Sequence, residues 1–397
     1  MRNTIFILFQ LVSMQLPAQW VQRSEYFNKP LGWIKVYNWK GATKPLQIDH
    51  RNYSIAQLSV CDSFANWIQL SYLPTGALGD VRKAASDKLT NYNQNTKSLP
   101  QSYGAYAKIY LDLKKGPDGK LVPYDNTGYQ WNIMANAKLG DCINVISTPE
   151  QYYFFIPRYS DAELAGNEFA IAAQKKLDLS QHPMIKKYTW YFQPKGILTD
   201  SRMVVLLCRN NELPYVQITK GEYIEQMSAA VERKFNSEKE YALKGWPEGN
   251  ARNVALKAAD ENYRKRTAML NKQREKYKDR MQEKASVFTE QPSELVEQYE
   301  DLFEGNNQRD RVVPVYKFDP VKVALCQKDQ PQWIAIFWYI VPGYDQDPSN
   351  NNYEYAAVKV MHESILQHFN FDYAYNFFFD PEKVKGQAYK PLPGSKY

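Results

Sequence analysis

Histidine side chains are the first candidates for chemistry, because they bind metals and transfer protons near neutral pH. The chain has four of them, His50, His182, His362 and His368. His362 and His368 form the only close pair, and a spacing of six residues sets them about 240° apart on a helix. A helical zinc site needs histidines four residues apart on one face, so we predict no metal site and no bound cofactor. An acid–base site with a neighbouring carboxylate, Glu363 or Asp372, stays an open alternative.

Oxygen ligands for a hard cation recur at alternate positions of residues 345–352 (DQDPSNNN), as they do in calcium-binding loops. The segment lacks the glycine that such loops have at the sixth position, and Ala356 stands where a bidentate glutamate is needed. These two departures favour a polar loop over a cation site.

Two hydrolytic chemistries can be judged from residue patterns. The G-x-S-x-G motif of serine hydrolases is absent from the sequence. Glycoside hydrolysis needs two carboxylates that face each other across the substrate, and the sequence does not show which of its 43 acidic side chains converge. A secreted hydrolase acting on glycan or peptide therefore remains the alternative function.

Positive charge is concentrated in one stretch of the chain. Residues 252–284 contain eleven Lys and Arg against five Asp and Glu, a local charge of +6, whereas the whole chain carries +7. Attraction to an anionic partner, such as a nucleic acid, a lipid headgroup or an acidic polysaccharide, would therefore come from this stretch. The predicted contact residues are Arg264, Lys265, Arg266, Arg274, Lys276 and Lys278. The alternative is a solvated helix face held by pairs four residues apart, such as Glu261 with Lys265.

One long helix must position these bases. Residues 252–284 contain neither proline nor glycine, and apolar residues continue the pattern onward, so we predict a helix over residues 252–288. Leu256, Tyr263, Leu270 and Tyr277 recur every seven residues along it and form a narrow apolar seam. Such a seam suits a helix that lies along a body or against one partner helix. Self-association of two copies through the seam is a further alternative.

Export is predicted from the first residues of the chain. Residues 1–19 contain one early base, an apolar run at residues 5–9 and a small-residue step, which is the pattern of a secretory signal peptide. The apolar run is too short to span a bilayer, and so are the nine apolar residues 333–341, which are typical of a buried strand. We therefore predict a secreted or periplasmic protein without a transmembrane segment.

Four cysteines, Cys61, Cys142, Cys208 and Cys326, are spread along the chain with no C-x-x-C pair, so the spacing of a zinc site is absent. Export would permit disulfides. Cys208 and Cys326 nevertheless end apolar runs, which predicts buried free thiols and no structural disulfide.

Short β-like runs and helical segments are mixed along the chain, which predicts an α+β fold with antiparallel sheets in two units connected by the long basic helix. We assign a β-rich α+β domain to residues 20–160 and a second α+β domain, with the long helix, to residues 161–397. Residues 116–119 are predicted to form a hairpin turn. Residues 66–73 are predicted to form a strand.

Two further elements flank the basic helix. Thr219 and Glu222 have the spacing of a capping box and begin a helix that stops near Gly245. Acidic residues are frequent at 293–303, which predicts a short acidic helix. Its charge complements that of the basic helix, so the two segments could dock within one molecule.

Four blocks of sequence stand out beyond these patterns: residues 213–225 (LPYVQITKGEYIE), the basic helix, residues 287–292 (VFTEQP) and residues 370–391 (NFDYAYNFFFDPEKVKGQAYKP). Together they resemble an uncharacterised family of secreted proteins from Gram-negative bacteria. The resemblance covers most of the chain after the signal peptide. It implies export and a shared fold, and it transfers no catalytic or ligand-binding residue.

The sequence therefore predicts an exported, non-catalytic binding protein or a structural protein associated with the cell envelope. Its partner would be an anionic polysaccharide, an envelope surface or another protein. Sequence-specific nucleic-acid binding is disfavoured, because export is predicted and no nucleic-acid-binding module is recognised.

Overall fold

The computed structural model describes residues 20–36, 42–48, 51–85, 99–125, 128–140, 142–146, 151–159, 164–195, 201–288, 301–304, 312–343 and 353–394. The predicted signal peptide (1–19), the polar loop (345–352) and most of the predicted acidic helix (293–303) lie outside these residues, as does His50.

The described residues form sixteen strands, all paired antiparallel. They are β1 (Leu46–Ile48), β2 (Arg51–Tyr53), β3 (Leu78–Ala84), β4 (Tyr103–Tyr110), β5 (Leu113–Lys115), β6 (Leu121–Pro123), β7 (Gly128–Ala135), β8 (Ile143–Ile146), β9 (Tyr153–Phe155), β10 (Thr189–Gln193), β11 (Ser201–Cys208), β12 (Tyr215–Gln217), β13 (Ser286–Phe288), β14 (Val312–Pro314), β15 (Tyr316–Phe318) and β16 (Trp333–Ile340).

Seven α-helices accompany them in the described residues. They are α1 (Ile55–Ser71), α2 (Glu168–Lys176), α3 (Lys220–Gly245), α4 (Asn250–Lys276), α5 (Pro320–Leu325), α6 (Tyr353–His368) and α7 (Phe371–Phe379). None of these helices is both long enough and apolar enough to cross a membrane.

The largest sheet has six strands in the order β10-β11-β16-β7-β4-β3. One of its faces carries Trp131, Ile336 and Trp338, which pack in one core with Phe64 of α1 and Ile365 of α6. Successive side chains of a strand point to opposite faces, so every second residue of these strands enters this core. Helices α1, α6 and α7 therefore cover one side of the sheet.

A second sheet, with the order β12-β15-β9-β8, packs on part of the other face. Phe318 of β15 lies 5.9 Å, between ring centroids, from Trp333 of β16. Within β9 the side chains alternate: Phe154 packs toward the large sheet, whereas Tyr153 and Phe155 pack with residues of α3 and α4. The fold is thus layered, with helices, the large sheet, the small sheet and the α3–α4 pair in succession.

The predicted α+β class with antiparallel sheets is confirmed. The two sheets are stacked, and the long basic helix lies on the outer side of the smaller sheet. The large sheet takes β3, β4 and β7 from before residue 160 and β10, β11 and β16 from after it, so the predicted domain boundary is not visible in this sheet. Strand pairing joins segments that are distant in sequence, so local sequence patterns do not predict it.

Two local predictions have different outcomes. The hairpin turn is confirmed, because β5 pairs with β6 across residues 116–119 and Gly119 has a φ of 76°. The strand at residues 66–73 is wrong, because residues up to Ser71 belong to α1, which starts with a capping box formed by Ser54 and Gln57. Helix α1 is apolar on most sides, and periodicity does not distinguish such a helix from a buried strand.

Candidate functional site

The predicted basic helix is the second arm of a helical hairpin. Helix α3 ends at Gly245, and α4 begins at Asn250 and runs back alongside it. The N-cap of α3 is confirmed, since the Thr219 hydroxyl accepts a hydrogen bond from the Glu222 N–H at 3.2 Å. The Glu222 carboxylate instead accepts hydrogen bonds from Lys317 (2.6 Å) and Tyr153 (3.1 Å), which ties the hairpin to the small sheet.

The basic helix is shorter than predicted. It was expected over residues 252–288, but α4 ends at Lys276, a short 3₁₀ turn follows at Lys278–Arg280, and Ser286–Phe288 form β13. The Ala285 N–H donates to the Ile218 carbonyl at 2.9 Å, and β13 pairs with β14. Tertiary strand pairing overrides the helix propensity of residues 278–284, which is a weak local preference.

The apolar seam faces α3 of the same chain. Leu270 and Tyr277 are fully buried, and they share a core with Met227 and Val231 of α3. The ring of Tyr263 stacks on Phe235 of α3, with ring centroids 4.4 Å apart. The predicted partner helix is therefore α3. Self-association through the seam is wrong for this fold, because the surface that it needs is already buried.

Arg266 belongs to the inner side of α4, contrary to its prediction as a contact residue. Its side chain is 5% exposed and its Nη1 lies 3.5 Å from Oε1 of Glu238 on α3. Positions 259, 266, 270, 273 and 277 are separated by seven, four, three and four residues, so the helical period places Arg266 among the buried positions.

Three other predicted bases have partners within the molecule. Arg274 donates to the Ser228 hydroxyl on α3 at 2.7 Å and to the Asn271 amide oxygen at 2.9 Å. Lys276 bonds to Asp301, and Lys278 donates to Glu275 at 2.8 Å. Among them, Lys276 is the one whose partner comes from a distant acidic segment.

That acidic segment confirms the predicted docking for the part of it that the structure describes. Asp301 accepts hydrogen bonds from Lys276, from the Tyr277 hydroxyl at 2.7 Å and from the Phe303 N–H at 2.7 Å. Glu304 accepts from Arg280 at 2.7 Å. Residues 301–304 adopt a bent, non-helical conformation, so the contact is made by a turn and not by the predicted helix.

This hydrogen-bond network lowers the pKa of Asp301. Burial by itself raises the pKa, but the Lys276 ammonium, two backbone N–H groups and the Tyr277 hydroxyl stabilise the charged form and bring the pKa down to about 2. The carboxylate is therefore ionised at neutral pH and compensates positive charge at the end of α4.

The outer side of α4 keeps its charge. Arg264 and Lys265, both predicted, are exposed and have no hydrogen bond or ion pair among the described residues. Lys272, which the prediction omitted, is in the same situation. Its spacing of seven residues from Lys265 puts the two on one side of the helix, and this spacing was the available signal. These three bases are called the outer bases below.

Carboxyl groups in the described part of the chain can be compared with the general acid of glycoside hydrolysis, whose pKa is raised. Every acidic side chain there whose pKa clearly departs from its ordinary value has a lowered one: Asp118, Glu240, Glu283, Asp301 and Glu304. The cause in each case is dominated by hydrogen bonds to cations or to backbone N–H groups. These carboxylates serve charge pairing.

The two close histidines have separate structural contacts. His362 is buried, and its Nδ1 accepts a hydrogen bond from the Trp338 indole at 2.9 Å. Burial lowers the pKa of His362 to about 3, so it is neutral near pH 7. His368 lies 3.1 Å from the Leu392 carbonyl oxygen. Among the described residues, no group of three His, Cys, Asp or Glu is arranged to hold a metal ion.

The structure agrees with the prediction of buried free thiols at Cys208 and Cys326. Cys208 and Cys326 are buried, as expected, and burial raises the pKa of the Cys208 thiol to about 12. All four cysteines are free thiols in this structure.

A polar row on the large sheet was missed by the sequence reading. Strand register aligns Lys108 with Gln130 and Arg202 with Tyr339 on the face opposite α1. Arg202 donates to the Tyr339 hydroxyl at 2.7 Å. The signal was the alternation of polar and apolar residues in parts of β4 and β7, which marks the partly solvated face of an antiparallel sheet.

Compared with known proteins, the chain matches no family model, no curated protein and no solved structure. The resemblance to secreted proteins of Gram-negative bacteria therefore stays a prediction.

Proposed function

We propose that this protein is an exported, non-catalytic binding protein that attaches to an anionic partner through the outer side of α4. The observation that carries this proposal is the contrast within one helix. Of the six predicted bases, one is buried, two pair with carboxylates and one is hydrogen-bonded to neutral groups, whereas the outer bases Arg264, Lys265 and Lys272 are exposed without such contacts within the described residues.

Electrostatics support a role for these three residues. Exposed charges without a nearby counterion attract anions over roughly the Debye length, about 8 Å at physiological ionic strength. Bases that already have carboxylate partners contribute much less to such attraction. The alternative function, hydrolysis of glycan or peptide, has less support, because the shifted carboxyl pKa values of the described residues are all lowered.

The test is retention on immobilised heparin, a soluble polyanion. The triple variant Arg264→Glu, Lys265→Glu, Lys272→Glu should bind at least about ten-fold more weakly than the unmodified protein at low salt, since each base near an anionic surface contributes about 1 kcal/mol. Its helix content, followed by circular dichroism, should be unchanged because none of the three side chains has a hydrogen bond or ion pair with the residues that the structure describes.

A matched control reverses three exposed bases elsewhere, as Lys115→Glu, Lys328→Glu, Lys390→Glu, and thus makes the same change in net charge. The control should lose much less affinity than the α4 variant. Equal losses in both variants, or no loss in the α4 variant, would reject the outer side of α4 as the contact surface.

A further inference from the structure

Large apolar side chains are exposed at the end of the hairpin where α3 turns into α4. Four of them lie within fourteen residues: Tyr241 is 69% exposed, Leu243 49%, Trp246 42% and Val254 60%. They are called the hairpin tip below. Single exposed apolar residues are common on protein surfaces, but a group of four that includes Trp and Tyr is typical of an interaction site.

The tip is held in a defined conformation. The Arg252 guanidinium donates to the Trp246 carbonyl at 3.1 Å and to the Leu243 carbonyl, so it satisfies acceptors that the end of α3 leaves open. The same side chain lies 3.4 Å from the Glu248 carboxylate. Gly249, with a φ of 146°, makes the turn into α4. Trp246 is thus exposed on a fixed turn.

One residue of the tip, Val254, shares a side of α4 with two of the outer bases. At 100° per residue, Val254, Lys265 and Lys272 lie within about 20° of one line along the helix, and the line extends about 27 Å. Lys257 is also exposed on this side, 3.9 Å from Glu261. On α4, the exposed side chain of Val254 near the turn therefore continues into a basic stripe.

We propose that this surface binds a lipid bilayer that contains anionic lipids, and this inference rests on the proposed function. Trp246, Tyr241 and Leu243 enter the headgroup layer, and the outer bases lie along the charged headgroups. A bilayer interface favours Trp and Tyr as well as cations. A soluble polyanion accounts for the bases alone and leaves the exposed apolar residues without a contact.

The first experiment uses vesicles of phosphatidylcholine mixed with phosphatidylglycerol. Trp246 fluorescence should shift to shorter wavelength when vesicles are added, because the indole leaves water. Trp246→Phe should abolish this shift while the protein still sediments with the vesicles. Vesicles of phosphatidylcholine alone should bind at least ten-fold more weakly. Absence of a Trp246-dependent shift would overturn the insertion of the tip.

The second experiment separates this inference from the proposed function. Tyr241→Ser, Leu243→Ser, Val254→Ser should lower vesicle binding at least ten-fold and leave heparin retention unchanged. A control with Phe169→Ser, Ile171→Ser, Val321→Ser, which changes three equally exposed apolar residues elsewhere, should bind vesicles normally.

Each remaining outcome has one meaning. Heparin retention that depends on the outer bases, with no binding to anionic vesicles, would overturn the lipid inference and keep the proposed function. Failure to bind heparin and vesicles alike would overturn both. Equal loss of vesicle binding in the tip variant and its control would assign the effect to general surface hydrophobicity and reject the tip.

Discussion

The six-stranded sheet and the α3–α4 hairpin are stabilised in different ways. The sheet with its helices buries Trp131, Trp338 and Phe369 completely, and this core is almost entirely apolar. The hairpin has a thinner apolar seam, and one end of it is closed by charged groups around Asp301. Within the part of the chain that the structure describes, the outer bases of α4 take part in neither kind of contact.

This difference separates stability from binding. Packing in the sheet core requires that nearly all side chains be in place, so few residues there are available for a partner. In the hairpin, the seam and the Asp301 network hold one side of each helix. The opposite side is therefore available to bind a partner at little cost to folding.

The largest expected change in stability comes from replacing a tryptophan by alanine, once in the sheet core and once at the hairpin tip. Trp131→Ala should lower the free energy of unfolding by about 4 kcal/mol, because the buried indole is lost and a cavity remains. Trp246→Ala at the hairpin tip should change it by less than about 0.5 kcal/mol. Urea unfolding followed by circular dichroism measures both. Similar losses would show that the tip is structural.

Acid should affect the two regions at different pH. The folded state keeps His362 neutral down to a pKa of about 3, whereas an unfolded chain protonates it near pH 6.5. Stability is therefore complete above pH 6.5 and falls below it, by about 2 kcal/mol at pH 5. Urea unfolding at pH 7 and pH 5 measures this loss.

The variant His362→Gln, which can still accept a hydrogen bond from Trp338, should show a smaller loss between these pH values.

In the hairpin, the lowered pKa of Asp301 stabilises the fold above about pH 4, and this contribution disappears only as the pH falls toward 2. Loss of α4 protection already at pH 5 in hydrogen exchange would contradict this assignment.

The charged end of the hairpin can be weakened alone. Asp301→Asn removes the charge that accepts hydrogen bonds from Lys276 and Tyr277, and it should cost about 1.5 kcal/mol. Asp279→Asn, an exposed acid in the same stretch, is the control and should have almost no effect. Hydrogen exchange should accelerate at the end of α4 in the first variant only.

Matched N-caps provide the smallest and sharpest comparison. Ser54→Ala in α1 and Thr219→Ala in α3 each remove a side-chain acceptor for a helix N–H, which should cost about 1 kcal/mol. Ser54→Ala also removes the hydrogen bond that the Ser54 hydroxyl donates to Asp329 at 2.6 Å, so its loss should be the larger of the two. Thr219→Ala should accelerate hydrogen exchange in α3 while the sheet amides stay protected. Equal acceleration in the sheet would mean that hairpin and sheet open as one unit.

Local features of the fold were predictable because their causes are local. The turn at residues 116–119, the N-cap at Thr219 and the end of α3 near Gly245 depend on residue types within a few positions. The seven-residue spacing of Leu256, Tyr263, Leu270 and Tyr277 also indicated one partner helix, although it did not identify that helix as α3.

The candidate site was predictable only in part. Arg264 and Lys265 are exposed, as a contact surface requires, whereas Arg266 is adjacent in sequence and buried against Glu238. A count of charges treats these three residues alike. Their difference depends on which side of α4 faces α3. The pairing of Lys276 with Asp301 was equally hidden from the sequence, because that contact joins residues 25 positions apart.

The sequence by itself determined the fold class, the hairpin turn, the N-cap at Thr219 and the concentration of positive charge in one stretch, because each depends on short-range periodicity, propensity or composition. The tertiary structure decided that β13 ends the basic helix, that α3 covers its seam and that Asp301 neutralises one end of it. These contacts join segments whose separation in sequence says nothing about their distance in space. Which bases remain exposed for a partner is therefore settled by packing and not by composition.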